Sequence, residues 1–210
     1  MSLERQIEQA LDFFSRKDHP HSFVLEPNDR AILFSAPHAV LQTRNEKTKY
    51  AERFTGMLCL LLSKLYLFPS MYKTRHLQDD ANHDPDSPYR DTLCAYVQQH
   101  KIQYVFDLHQ LSPERPMDLC ICTGCGQNLS GESGVVKTVQ ECFSRHGIQN
   151  ITIDDPFDAS SPHTVSATVA RHCRIPAIQL ELNTRLLMSA YPEYCFVSVL
   201  HALADLACLC

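Results

Sequence analysis

The sequence predicts an α/β fold with a mostly parallel or mixed central sheet and helices on both faces. Three apolar segments, at 31–36, 102–106 and 177–182, have the length and composition of buried strands. Amphipathic segments with helical spacing alternate with strand-like segments, as is typical of sheets whose strands are joined by helices. No repeat and no linker interrupts the 210 residues, so we expect one domain spanning 1–210.

The other elements follow from local patterns, taken in chain order. Leu3, Ile7, Leu11 and Phe14 stand at helical spacing and predict a helix over 3–16. The segment Glu46–Tyr66 is predicted as one long helix, charged in its first turns and apolar in its second half. Further helices are expected near 89–100, 133–146, 164–172 and 191–209, with short strands at 22–25, 117–122 and 148–153.

Two polar stretches separate these elements, at 75–90 and at 154–162. Neither has a helical or strand periodicity, so both are predicted to be loops. Structureless loops longer than about 12 residues are uncommon in compact domains. The first stretch is therefore long enough to have a functional role.

Composition excludes several classes of protein. The net charge is −5 and there is no basic run, which argues against nucleic acid as a partner. No apolar stretch approaches the roughly 20 residues that a membrane span requires. The polar amphipathic start contains no apolar core of a secretory signal, so we expect a cytoplasmic protein.

The sequence contains ten cysteines, which we interpret mainly as small reduced core residues because disulfide scaffolds are much shorter chains. Cys120, Cys122 and Cys125 include one CxxC pair and suggest an alternative, a redox or structural zinc protein. A structural zinc site normally needs a second such pair, and none is present. A redox pair requires a helix N-terminus, whereas the glycines nearby indicate a tight turn.

Two histidines and one glutamate stand at or near the carboxyl ends of the three buried strands. His38 follows the first strand, His109 ends the second, and Glu181 lies inside the third. Ligands of open α/β sheets collect at this edge, so the three side chains are expected to converge there. Asp107 shares a strand face with His109 and has the chemistry to orient it as a metal ligand. The simpler interpretation of His38 is a residue that only hydrogen-bonds a loop.

A catalytic zinc site needs about three nitrogen or oxygen ligands and an open position. Glu52 is our choice for the third ligand beside His38 and His109, with Glu46 in reserve. Lys49 and Arg53 flank Glu52 at helical spacing, so a solvated, salt-bridged surface is the alternative interpretation.

Glu181 lies within an apolar strand, and burying its carboxylate is costly unless the group is paired with a cation or has a functional role. Strand alternation places Gln179, Glu181 and Asn183 on one face. If that face opens on the metal, Glu181 is placed to act as general base, with a pKa raised by burial. An edge strand with one wet face is the alternative.

Candidate substrate contacts come from positive and polar side chains near these segments. Arg90, Arg185 and Lys49 are candidates to bind a substrate carboxylate, which an arginine matches with two parallel hydrogen bonds. Asn183 and His163 are candidates to line the pocket. The alternative for each charged residue is ordinary surface charge.

With these segments in view, the chain resembles the N-formylglutamate amidohydrolase family. The resemblance rests on SAPHAV at 35–40, KYAERFTG at 49–56, FDLHQ at 106–110, DPFDASSPHTVS at 155–166 and IQLELNTRLL at 178–187. It implies a phosphorylase/hydrolase-like fold and one zinc ion bound by His38, Glu52 and His109. It also implies that Glu181 assists the attacking water in cleaving the C–N bond of a small N-acyl amino acid. The chain departs from the family at Ala39-Val40, where a small residue and a glycine are common.

Two further functions remain open from the sequence. One is a non-catalytic protein of the same fold that binds a small metabolite. The other is a zinc carboxypeptidase-like peptidase, for which the partner is a short peptide rather than an acylated amino acid. Fold and metal together do not decide among these three.

Overall fold

A mixed seven-stranded sheet forms the centre of the structure, a computed structural model that describes residues 1–188 and 196–210. Its strands run in the order β1-β5-β2-β6-β9-β7-β8. In chain order the strands of this sheet are β1 (Phe23–Glu26), β2 (Ile32–Ala36), β5 (Ser70–Lys73), β6 (Tyr104–Leu111), β7 (Leu119–Cys122), β8 (Ile151–Ile153) and β9 (Ala177–Asn183). The remaining two, β3 (Gln42–Arg44) and β4 (Lys47–Lys49), form a separate hairpin.

The four middle strands, β5, β2, β6 and β9, are parallel to one another. β1 pairs antiparallel with β5 at one edge, and β7 pairs antiparallel with β9 towards the other. The predicted class, an α/β fold on a mixed sheet, is therefore confirmed. The three predicted buried strands are β2, β6 and β9, and they are direct neighbours, so their carboxyl ends lie side by side.

Six α-helices of the described chain cover both faces of the sheet. They are α1 (Leu3–Ser15), α2 (Arg53–Tyr66), α3 (Pro88–Gln99), α4 (Gly134–Arg145), α5 (Val165–Cys173) and α6 (Phe196–Ala204). The larger core joins α1, α2, α4 and α6 to side chains such as Phe106 and Leu180. The smaller core joins α3 and α5 to Leu33, Val105 and Ala177 on the other face. Short 3-10 turns at Gln127–Leu129, Thr184–Leu186 and Asp205–Leu209 complete the description.

The predicted helix over 46–66 is wrong in its first turns. Residues 42–49 form the β3–β4 hairpin, and the helix begins only at Arg53. Asn45 and Glu46 both have positive φ, 51° and 63°, as the two central residues of a type I′ hairpin turn require. Tyr50, which falls within the predicted helix, follows the hairpin instead and is 94% exposed.

Two other elements differ from the prediction. The sequence reasoning did not identify β5, a buried edge of the parallel set. The predicted C-terminal helix over 191–209 is present from Phe196 to Ala204 and continues as a 3-10 turn. Its predicted start at Tyr191 lies outside the described residues. Within those residues, no helix is both long and apolar enough to cross a membrane.

Candidate metal centre

On the sheet face that α3 and α5 cover, the side chains of the neighbouring strands β2, β6 and β9 change from apolar to polar towards the carboxyl ends of the strands. Near the strand starts this face carries the side chains of the smaller core. Towards the carboxyl ends, Asp107 pairs with Gln179 and His109 pairs with Glu181 across β6 and β9. Paired residues point to the same face of strands roughly 4.8 Å apart, so His109 and Glu181 are immediate neighbours. His38 follows the end of β2 by two residues.

Glu52 lies at this edge because the β3–β4 hairpin brings the chain back to the place where it left the sheet. The backbone N–H of Glu52 donates to the carbonyl oxygen of His38 at 2.8 Å, so the residues before and after the hairpin are hydrogen-bonded to each other. The backbone N–H of Gln110 donates to Oε2 of Glu52 at 3.0 Å. The side chain of Gln110 in turn accepts from the N–H of Phe54 at 3.1 Å, in the first turn of α2. The position of Glu52 is therefore set from both sides.

His38, Glu52 and His109 form a tight cluster. Nδ1 of His38 lies 3.1 Å from Oε1 of Glu52, and Nδ1 of His109 lies 3.2 Å from Oε2 of the same carboxylate. The imidazole ring centroids are 4.6 Å apart and the rings are nearly perpendicular, at 85°. One ligand atom from each residue lies within 4.8 Å of the others, and the described residues contain no other such group of three.

A second layer of carboxylates holds the far nitrogens of both rings. Nε2 of His38 lies 2.8 Å from Oδ1 of Asp80, and Nε2 of His109 lies 2.9 Å from Oδ2 of Asp107. Both aspartates are fully buried. Because Nε2 is engaged in each ring, Nδ1 is the nitrogen that faces the centre. Carboxylates that orient histidines in this way are the usual outer partners of metal ligands.

The buried charges shift the titration of the cluster. Burial lowers the pKa of His38, but the carboxylates of Glu52 and Asp80 outweigh it, so the pKa is raised. The pKa of His109 is raised in the same way, against burial, by Asp107 and Glu52. Burial would raise the pKa of Glu52, but the two histidines lower it to about 2. The space between His38, Glu52 and His109 therefore favours a positive charge.

These residues fit a divalent metal of the zinc type. Two imidazole nitrogens and one carboxylate form a ligand set that zinc prefers, with room for a fourth ligand. A second observation supports the fit: Oδ1 of Asp107 is buried and has no hydrogen-bond partner among the described residues. An unpaired buried carboxylate oxygen is costly, and a cation on the adjacent His109 would offset that cost.

Glu181 lies beside the cluster on β9. Its carboxylate accepts a hydrogen bond from Nε2 of Gln179 at 2.8 Å, which fixes its orientation. Burial raises the pKa of Glu181 to about 7, with Glu52 also raising it and His109 lowering it. Only 8% of the residue is exposed, and that part lines the cleft. A carboxyl group in this state can both accept and release a proton near neutral pH.

The cluster lies at the bottom of an open cleft of about 1100 Å³. The lining includes hairpin residues, among them Arg44 and the exposed Lys49, and all residues of the segment 156–161. Such a volume lies just above the roughly 300–1,000 Å³ that is typical of small-molecule pockets. The cleft therefore admits molecules larger than an acylated amino acid.

Arg90, predicted to contact substrate, is placed elsewhere. Its guanidinium is buried and donates to four backbone carbonyl oxygens, those of Ala81, Asp84, Pro85 and His163, at 2.6–2.8 Å. It ties the 80–85 loop to the start of α5, and it does not line the cleft. This prediction is corrected because the four acceptors occupy the guanidinium.

Arg185 and Asn183 are also committed to the chain itself. Arg185 donates to the carbonyl oxygens of Arg115 and Pro116 and to Oδ1 of Asp118. Asn183 is fully buried and donates to the carbonyl oxygens of Arg115 and Met117. Neither lines the cleft, so both predictions are corrected: these side chains hold the segment before β7.

The other predicted positions divide as follows. Lys49 lines the cleft, whereas His163 is partly exposed beside it and is not among the lining residues. Glu46, the reserve ligand, is exposed in the hairpin turn, away from the cluster. Cys120 and Cys122 approach to 3.6 Å between sulfur atoms, while the exposed Cys125 contacts Asp158 instead. The described structure does not assemble a three-thiol metal site.

Sequence reasoning missed two residues of the site, Asp80 and Arg44. Asp80 lies in the long polar loop at 75–90, whose length was the only signal. Arg44 lies on a strand that was not predicted, so no signal pointed to it. Both join the cluster through contacts between segments that are distant in sequence.

Asp107 offers a test of the outer layer. We expect Asp107→Asn to weaken zinc binding by roughly 10- to 100-fold, because the substitution removes the charge that orients His109. Competition with a chromophoric chelator measures the affinity. Asp12→Asn, on the exposed face of α1, is the matched control and should bind zinc like the unmodified protein. Equal affinity in both variants would show that Asp107 has no part in the centre.

No protein-family model matches this chain, and no curated protein matches it. Its similarity to known proteins is therefore found in three dimensions.

Several solved structures share the fold at low sequence identity. N-formylglutamate amidohydrolase from Ralstonia eutropha is 13% identical, with 88% of this chain and 96% of that one covered and a TM-score of 0.57. A bacteriophage poly-gamma-glutamate hydrolase is 11% identical over 96% and 97% of the two chains, with a TM-score of 0.51. Succinylglutamate desuccinylase from Chromobacterium violaceum is 14% identical over 96% and 75%, with a TM-score of 0.52.

These likenesses establish the fold. The amidohydrolase whose family the sequence motifs resemble is among the matching structures. At such low identities the comparison carries no ligand and no reaction to this chain. The reaction that this chain can perform depends on the side chains of its cleft.

Proposed function

We propose that this protein is a zinc-dependent hydrolase of the N-formylglutamate amidohydrolase type that cleaves the amide C–N bond of a small N-acyl amino acid. The observation that carries the proposal is the meeting of His38, Glu52 and His109 within 4.8 Å, at the bottom of a cleft. Nδ1 of each histidine and the carboxylate of Glu52 would hold the ion. Zinc in such a site supplies Lewis-acid polarisation of the acyl carbonyl and lowers the pKa of water.

The protein's own groups account for the proton transfers. Glu181 lies next to His109 and would accept a proton from the attacking water, then pass it to the leaving amine. Gln179 keeps the Glu181 carboxylate in place. Asp80 and Asp107 keep both histidine rings turned so that Nδ1 faces the centre. A positively charged group on the cleft wall would bind the carboxylate of the amino acid.

A second candidate, a zinc carboxypeptidase-like peptidase, is favoured by the size of the cleft. A volume of about 1100 Å³ exceeds what a single acylated amino acid fills. The same residues would perform the same proton transfers on a peptide bond. The two candidates differ in substrate length only, so one set of substrates can distinguish them.

The test combines metal analysis with a substrate panel. We expect the purified protein to contain about one zinc ion per chain and to hydrolyse a member of a panel of N-formyl, N-acetyl and N-succinyl amino acids and dipeptides. Chelator should remove metal and activity together, and added zinc should restore both. Metal-free protein with full activity would disprove the proposal. Metal-free protein that is inactive yet stabilised by a panel member would instead indicate a binding protein.

A further inference from the structure

Arg44 is the one arginine in the described part of the chain that lines the cleft. Its Nε donates to Oδ2 of Asp80 at 2.8 Å, and its side chain is 28% exposed. Nη1 and Nη2 make no hydrogen bond to any described residue. The outer edge of the guanidinium is therefore available to a molecule in the cleft.

Asp80 holds this arginine at a fixed place relative to the metal cluster. Its carboxylate is fully buried and contacts Nε2 of His38 through Oδ1 at 2.8 Å, opposite the contact with Arg44. Oδ1 also accepts from the backbone N–H of Asn82 at 3.0 Å. One aspartate thus connects Arg44 to His38 directly. Movement of the arginine away from the cluster would break a partly buried ion pair.

The rival cations are less suited to bind an anion near the cluster. Arg90 and Arg185 use their guanidinium groups within the chain. Lys49 lines the cleft, but it is exposed and forms no ion pair with a described residue. A flexible ammonium loses more side-chain entropy on binding than an arginine already held by a partner.

We infer that Arg44 binds the carboxylate of the substrate through Nη1 and Nη2 and so selects N-acyl compounds that carry this charge near the scissile amide. Asp80 is the positioning residue that sets the separation between this anion site and His38. The planar fork of two N–H groups matches a carboxylate with two parallel hydrogen bonds. The inference rests on the proposed function, because it names the anion site of the same cleft.

The experiment compares substrates that differ only in charge. The probes are N-formyl and N-acetyl derivatives of alanine, glutamate and phenylalanine, each as the free acid and as its C-terminal amide. For the zinc-loaded protein we expect a lower KM for the acid, and Arg44→Met should reduce this preference by about 10- to 100-fold. Arg44→Lys, which keeps a cation beside Asp80 but lacks the fork, should fall between. Arg53→Met is the matched control, since Arg53 is exposed outside the cleft.

Zinc content and a binding measurement separate the possible failures. Each variant is analysed for zinc, so that disturbance of Asp80 and His38 is recognised as metal loss. Calorimetry in a Glu181→Gln background, which should keep zinc but not turn the compounds over, then measures the dissociation constants of the same acid and amide pairs. Binding that prefers the acid and depends on Arg44, with no hydrolysis, would overturn the hydrolase but support Arg44. An acid preference that survives Arg44→Met, disappears in Lys49→Met, or is absent from the unmodified protein would overturn the inference.

Discussion

Replacing Glu181 by glutamine is expected to lower kcat by roughly 10²- to 10⁴-fold, the usual contribution of a general base. Glutamine keeps the size of the side chain and can still contact Gln179, but it cannot accept the proton of the attacking water. Glu181 is not one of the three proposed metal ligands, so the zinc content should not change. Steady-state kinetics on the best substrate of the panel and metal analysis of the same sample give both values.

Glu46→Gln provides the matched control, since it makes the same chemical change in the exposed hairpin turn. It should retain both zinc and kcat. Full activity in Glu181→Gln would remove this residue from the mechanism. Equal loss of zinc and activity would mean instead that Glu181 belongs to the ligand set.

Removing either proposed histidine ligand should cause a large loss of zinc affinity. We expect His38→Ala and His109→Ala each to weaken zinc binding by more than the roughly 10- to 100-fold that loss of an outer partner causes. The reason is that two ligands remain where a catalytic site needs about three. Equilibrium dialysis against a competing chelator measures the affinity, and hydrolysis should fall with it.

His172→Ala, an exposed histidine on α5, is the control for the loss of an imidazole. Circular dichroism checks that each variant is folded, because each ligand variant also removes the histidine partner of a buried carboxylate, Asp80 or Asp107. A folded His38→Ala or His109→Ala protein with unchanged zinc affinity would contradict the proposed centre.

The strand ends could be predicted because they depend on local patterns. Buried parallel strands are continuous apolar runs, and functional groups collect beyond their carboxyl ends, so His38, His109 and Glu181 were recognisable. Glu52 was chosen as part of a helix, yet it reaches the cluster because the hairpin before it closes on the carbonyl of His38. The hairpin is formed by a turn at Asn45-Glu46. The charged residues around this turn have the composition of the first turns of a helix, and the prediction therefore assigned them to one.

The residues that were missed or misassigned depend on contacts distant in sequence. Arg90 was expected to face a substrate, but its four carbonyl acceptors come from two loops whose course cannot be read from periodicity. Asp80 and Arg44 meet only because the long loop passes beneath the hairpin. Hydrogen bonds of this kind leave no pattern along the chain.

β6 has a consequence for the insertions that this protein can tolerate. Phe106 and Leu108 enter the larger core, while Asp107 and His109, which alternate with them, lie on the opposite face of the strand, where His109 lines the cleft and contacts Asp107. Because side chains alternate strictly along a strand, a single residue added before Phe106 would exchange the two sets. Phe106 and Leu108 would then lie on the face of the cleft, and the side chains of Asp107 and His109 would be buried beneath α2. Gain or loss of one residue here should therefore be far less tolerated than longer changes in the loops.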